Sequence, residues 1–205
     1  MTLPDSLPQR VFLLAYHPEK GKVGGNAGPM LRAAALADLH HRGRLTDVRG
    51  RPAVAVRHPC HDPVLDAVLE EVARAKPHTW QSWIGRGQRA TFRGVRHQLG
   101  DRGWVDLRPH RVLGLFPATD VTIRDLRVRD DLLARVHAAL RQPLDTVDPA
   151  DAALVTVLAA GDLRPVLDRK TQRADKQRIR DLAALSGPIG PALRNWLDAA
   201  AVGAA

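Results

Sequence analysis

Apolar residues along most of this chain recur at the three-to-four spacing of helices, and the stretches that alternate instead are short and bounded by Gly or Pro. One such segment leaves the glycine-rich stretch Gly21-Lys22-Val23-Gly24-Gly25-Asn26-Ala27-Gly28-Pro29 and is expected to run as a helix from Met30 to Leu45. Pro29 suits a first helical position, where its missing N–H is not needed, and Gly43 suits the left-handed residue that stops a helix. Leu31, Ala34, Ala35, Leu36 and Leu39 leave little polar surface between those ends, which predicts burial on most sides. Ahead of it, Ser6-Leu7-Pro8-Gln9 has capping-box spacing before the apolar run Val11 to Tyr16, read as a short buried helix with a strand as the alternative.

Further along, Leu45 to Val48, a turn at Arg49 to Pro52, and Ala53 to Val56 have the form of a hairpin. Asp62-Pro63 caps a core helix with Leu65, Val68, Leu69 and Val72 on one face, and Thr79 to Ile84 is a helical turn or two with Trp80 and Trp83 packed inward. A second basic helix is expected from Gln88 to Leu99, with Phe92, Val95 and Leu99 inward and Gly103 as its stop. Trp104 to Leu107, a turn at Arg108-Pro109-His110, and Val112 to Phe116 then read as another hairpin, so the order helix, Arg-Gly, hairpin occurs twice. Val121 to Arg129 reads as an exposed strand or loop, and Asp130 or Asp131 as the cap of a helix carrying Leu132, Leu133, Val136 and Leu140. Asp148-Pro149 starts the most apolar helix, Ala152 to Ala160, stopped by Gly161 and placed at the centre of the core. A long amphipathic helix from Arg164 to Leu185 and a last one from Pro191 to Ala201 complete a mainly α fold. The expectation is a single domain over residues 1–205, a helical bundle around a central apolar helix with small β-hairpins.

Charge narrows the partner. The net charge of +9 favours an acidic one: nucleic acid, an anionic membrane or a phosphorylated ligand. The charge is focused, because seven arginines against two aspartates lie between Arg86 and Arg111, and Arg89, Arg93 and Arg96 fall within about 60° of one another on a helix. Arg32 opposes the dipole of its helix in the first turn, a placement that an adjacent anion explains; a solvated arginine is the plain alternative. The single cysteine, Cys60, allows no internal disulfide; no signal-peptide pattern and no apolar run of roughly 20 residues is present, so a cytoplasmic chain that meets membranes only at their surface is expected. His58-Pro59-Cys60-His61-Asp62 lacks a second group of ligands at zinc-site spacing, and the glycine-rich loop lacks the Gly-Lys-Ser/Thr ending of a nucleotide-binding loop. No catalytic constellation, metal or cofactor is expected.

Leu13-Leu14, Leu39-His40-His41-Arg42-Gly43-Arg44-Leu45, Asp62-Pro63-Val64-Leu65-Asp66, Thr79-Trp80-Gln81-Ser82-Trp83-Ile84, Asp101-Arg102-Gly103-Trp104-Val105 and Val112-Leu113-Gly114-Leu115-Phe116-Pro117, in this order, resemble the Golgi phosphoprotein 3 family over nearly the whole chain. Arginine in excess of lysine, with abundant alanine, fits a bacterial-type member. The resemblance implies a mostly helical fold and a peripheral membrane adaptor, not an enzyme, that binds phosphatidylinositol 4-phosphate or a similar headgroup. The family's phosphate-binding arginines fall on Arg32 and Arg89, and a third falls on Phe92 with Arg93 next to it. The headgroup site is therefore expected at Arg32, Arg89 and Arg93. The membrane-facing tryptophan of eukaryotic members has no aromatic counterpart between Gly21 and Gly28. Partners compatible with this reading are an anionic phospholipid headgroup or membrane surface, a protein cargo that the sequence does not identify, and a second copy of the chain. The alternative reading is a nucleic-acid binder in which the two helix-and-hairpin units are winged-helix-like.

Overall fold

The computed structural model describes residues 3–24, 26–112 and 115–203; Gly25 of the glycine-rich loop and Leu113-Gly114 of the last motif lie outside them. Among the described residues there are ten α-helices and three two-stranded antiparallel sheets, each a local hairpin, so the mainly α reading holds. Helix α1 is Leu7–Ala15, which decides that segment for helix over strand. Its start differs from the expected capping box. The Ser6 hydroxyl is buried without a partner, and the free N–H of Leu7 donates instead to Asp38 Oδ2 at 2.7 Å. Strands β1, Tyr16–His17, and β2, Lys22–Val23, close a small ladder before helix α2, Ala27–His41.

Helix α2 starts two residues earlier than Pro29 marked, since the first turn of any helix has N–H groups to spare and a proline is tolerated throughout it. It ends as expected. Gly43 is left-handed at φ +67°, its N–H bonds to His40 O at 3.0 Å, and the N–H of Arg44 bonds back to Leu39 O at 2.8 Å. Strands β3, Leu45–Val48, and β4, Arg51–Val54, follow through a two-residue turn shorter than expected. Both Arg49 and Gly50 have positive φ, the geometry that matches the twist of a tight hairpin. No atom lies within 4 Å of a Cβ built on Gly43, so Gly43→Ala should cost only the left-handed backbone penalty, about 1 kcal/mol, measurable as a shift of the urea midpoint.

Helix α3, Pro63–Arg74, is capped by Asp62, whose Oδ1 accepts from Val64 N at 2.9 Å and Leu65 N at 3.1 Å. Helix α4, Trp80–Gly85, is capped by Thr79 and buries Trp80, Trp83 and Ile84. Helix α5, Gln88–Asp101, repeats the ending of α2: Gly103 N bonds to Gly100 O and Trp104 N to Leu99 O, both at 2.9 Å. The hairpin after it is longer than the sequence signalled. Strand β5, Val105–Val112, pairs with β6, Phe116–Ile123, and Arg108-Pro109-His110 lies inside β5 instead of forming its turn. Pro109 is tolerated there because a two-stranded sheet has only edge strands. Helix α6, Arg127–Arg141, takes in Arg127 to Arg129 and begins ahead of Asp130; Asp125 Oδ1 accepts the Arg127 N–H at 3.0 Å.

Helix α7, Pro149–Ala160, is capped by Asp148 and buried from Asp151 to Ala160, the central position expected of it. Helix α2 shares that centre, packing against α1, α3, α4, α5 and α7, while α7 also touches α1 and α6. The single helix expected from Arg164 to Leu185 is two. Pro165 keeps its first residues out of helix, Asp168 caps α8, Arg169–Ala174, and the chain bends at Asp175 into α9, Lys176–Leu185. Helix α10, Ile189–Gly203, then packs on α2, α4 and α7.

Candidate functional site

Helices α2 and α5 lie side by side and point the same way. Their starts line one groove of about 560 Å³, with Gly28 and Pro29 from α2 and Gln88, Arg89, Phe92 and Arg93 from α5. Their ends converge on Asp5, whose backbone oxygen accepts from Arg42 at 3.3 Å and whose carboxylate accepts from Arg102 at 2.8 Å. Two helix dipoles therefore bring their positive ends to the same groove. Neither start is capped by a side chain, whereas α3, α7 and α8 each begin on an aspartate. Arg89 and Arg93 are exposed at the groove, and neither joins an ion pair among the described residues. Arg96, the third residue of the stripe, does not line the groove, and its Nε is buried without a partner. The apolar wall is Phe92, whose ring centre sits 5.5 Å from that of the fully buried Phe12.

Arg32 is not at the groove surface. Its side chain is 0% exposed, and the anion beside it belongs to the protein: Nη2 donates to Glu71 Oε2 on α3. Nε donates to Trp83 O at 3.2 Å and Nη1 to Thr91 Oγ1 at 3.3 Å. One guanidinium thus ties together α3, the last turn of α4 and the first turn of α5. Gly87 between α4 and α5 is left-handed, and a Cβ there would meet Arg32 Nη1 at 3.1 Å, so the turn that starts α5 rests directly on Arg32. Burial pulls the Arg32 pKa below the ordinary arginine range, while Glu71 pulls it back up. Glu71 had no signal in the sequence, since it is 39 residues from Arg32 and shares no local motif with it.

The loop ahead of α3 is structural where it is described. Asp62 Oδ1 is engaged by the helix start, and the Cys60 N–H donates to Asp66 Oδ1 at 2.6 Å. Burial pushes the Cys60 thiol above its ordinary pKa, away from thiolate chemistry. Among the described residues no group of three or more His, Cys, Asp or Glu is placed to hold a metal ion, and no helix is long and apolar enough to cross a membrane.

A comparison with curated proteins finds no match. The ordered motifs, the twice-used helix-and-hairpin unit and the buried α2 and α7 run through almost the same span that a family model matches, residues 7–200, and the chain belongs to the Golgi phosphoprotein 3 (GPP34) family.

Proposed function

We propose that this protein is a non-enzymatic, peripheral membrane adaptor that binds an anionic phospholipid headgroup, phosphatidylinositol 4-phosphate or one like it, in the groove between the starts of α2 and α5. The observation that carries the reading is the convergence of two uncapped helix starts with Arg89 and Arg93, which have no carboxylate partner among the described residues. A phosphomonoester there receives backbone N–H donors from the first residues of α5 and from Gly28 of α2, whose Ala27 N–H is already bonded to Gly24 O, and planar, bidentate donors from the guanidinium groups. Arg32 serves the site from beneath, fixing the Gly87 turn and with it the direction of the first N–H groups of α5. Family membership supports an adaptor that works at the cytoplasmic face of a membrane by binding and not by catalysis.

Vesicle co-sedimentation tests it. Arg89→Ala and Arg93→Ala should each weaken binding to phosphatidylcholine vesicles containing phosphatidylinositol 4-phosphate about tenfold more than Arg108→Ala, an exposed arginine on β5. A charge-assisted hydrogen bond in a site is worth about 1.5–3 kcal/mol, against about 1 kcal/mol for a cation near an anionic surface. Equal losses from all three substitutions would leave only a basic surface. Tighter binding of duplex DNA than of these vesicles at matched salt would replace the headgroup reading with the nucleic-acid one.

A further inference from the structure

A second basic groove, of about 730 Å³, lies between the end of α7, the faces of α8 and α9, and α10. It is lined by Arg169, Arg173, Lys176, Arg180 and Arg194, against two carboxylates, Asp162 and Asp198. None of the five cations joins an ion pair among the described residues. Arg194 has a local reason to be there, because its Nη2 donates to Ala159 O at 3.3 Å at the end of α7. The other four have none. Arg169 and Arg173 lie four residues apart on α8, and Lys176 and Arg180 four apart on α9, so each pair shares a face of its own helix, and like charges at such spacing destabilise a helix.

Of the nearby carboxylates, Asp198 on α10 joins no ion pair among the described residues, and the other four are committed elsewhere. Asp168 accepts the Thr171 N–H at 2.7 Å, Asp175 pairs with Arg141 at 2.6 Å, Asp181 accepts from Gln177 at 2.9 Å, and Asp162 is held by Arg164 at 2.9 Å. Each pair spans about 6 Å at helical rise, and the two pairs lie on either side of the bend at Asp175, so the groove presents two cation pairs where one phosphate engages one. No aromatic residue lines the groove, so it offers no platform for stacked bases.

We propose that this groove is a second phosphate site, separate from that of Arg89 and Arg93, for a ligand that carries two or more phosphates along its length. Adjacent headgroups of an anionic bilayer and a single soluble polyphosphate both present this chemistry. Two probes separate them: inorganic tripolyphosphate titrated calorimetrically into the full chain, and phosphatidylcholine vesicles containing phosphatidic acid. Arg173→Ala/Lys176→Ala changes two exposed side chains and should weaken at least one probe about tenfold, whereas Arg108→Ala/Arg111→Ala, with the same loss of charge, should not. A loss confined to vesicles assigns the groove to lipid; a loss for tripolyphosphate alone assigns it to a soluble ligand, and a loss for both makes the groove a general polyphosphate site. In the Arg89→Ala/Arg93→Ala background, which removes the first groove, adding Arg173→Ala/Lys176→Ala should still bring the tenfold loss, so failure at the first groove and failure here are read on different variants. The proposal is overturned if Arg173→Ala/Lys176→Ala alters neither probe, if the control pair falls by the same factor, or if duplex DNA binds through these residues more tightly than either probe.

Discussion

Glu71→Ala is expected to destabilise the protein by about 3 kcal/mol, although Glu71 itself is partly exposed, because it leaves a guanidinium with 0% exposure facing no counter-charge. Arg32→Met should be costly too, since Trp83 O and Thr91 Oγ1 lose a donor at the junction of α4 and α5. The two losses should not add. With Met in place of Arg32 the Glu71 carboxylate turns to water, so removing it as well costs little further, and Arg32→Met/Glu71→Ala should be close in stability to Arg32→Met alone. Urea denaturation of the four proteins measures the cycle. Additive losses would mean that the pair is not coupled, and that Arg32 holds the α4 to α5 turn through its other hydrogen bonds only.

Phe12→Ala should cost about 3–5 kcal/mol, because a fully buried aromatic ring is removed from the junction of α1 with α2 and α5. For a chain of this size that loss lowers the melting temperature by roughly 10 °C. Phe12 also backs Phe92, so the same substitution should loosen the apolar wall of the Arg89 and Arg93 groove. Phe92→Ala, at a half-buried position, should cost less stability and fall more heavily on vesicle binding. Equal effects of the two substitutions on melting would show that Phe92 is as much a core residue as Phe12.

Features legible in the sequence were those whose cause lies within a few residues. Asp62 and Asp148 cap the helices they precede, and Gly43 and Gly103 stop the helices they follow, because each is a bond between near neighbours. The break at Asp175 does not show because Ala174 is the only apolar residue between Leu167 and Ile179, so no apolar spacing exists there to be interrupted; the cap at Asp168 and the pairing of Asp175 with a residue 34 positions away leave no mark on it either. The second hairpin was read too short for a related reason. Pro109 signals a turn by its own chemistry, and only the edge position of β5 makes it acceptable in a strand. At the site, the sequence offers an anion or solvent for an Arg32 placed in the first turn, but α2 starts at Ala27, which puts Arg32 in its second turn, and the anion it meets is Glu71, brought there only through packing of α3 on α2. Arg89 and Arg93 were visible as a charged stripe, while their meeting with Gly28 and Pro29 depends on two helices folded side by side.

That arrangement also sets how the molecule can be held. The chain enters α1 beside Asp5, where α2 and α5 end, and the 15 residues of α2 separate that point from the groove by about 22 Å. A sensor surface or a fluorophore attached at the Asp5 end therefore grips the blunt end of both helices. The groove then faces the bulk solution, so a bilayer can approach it without meeting the tether.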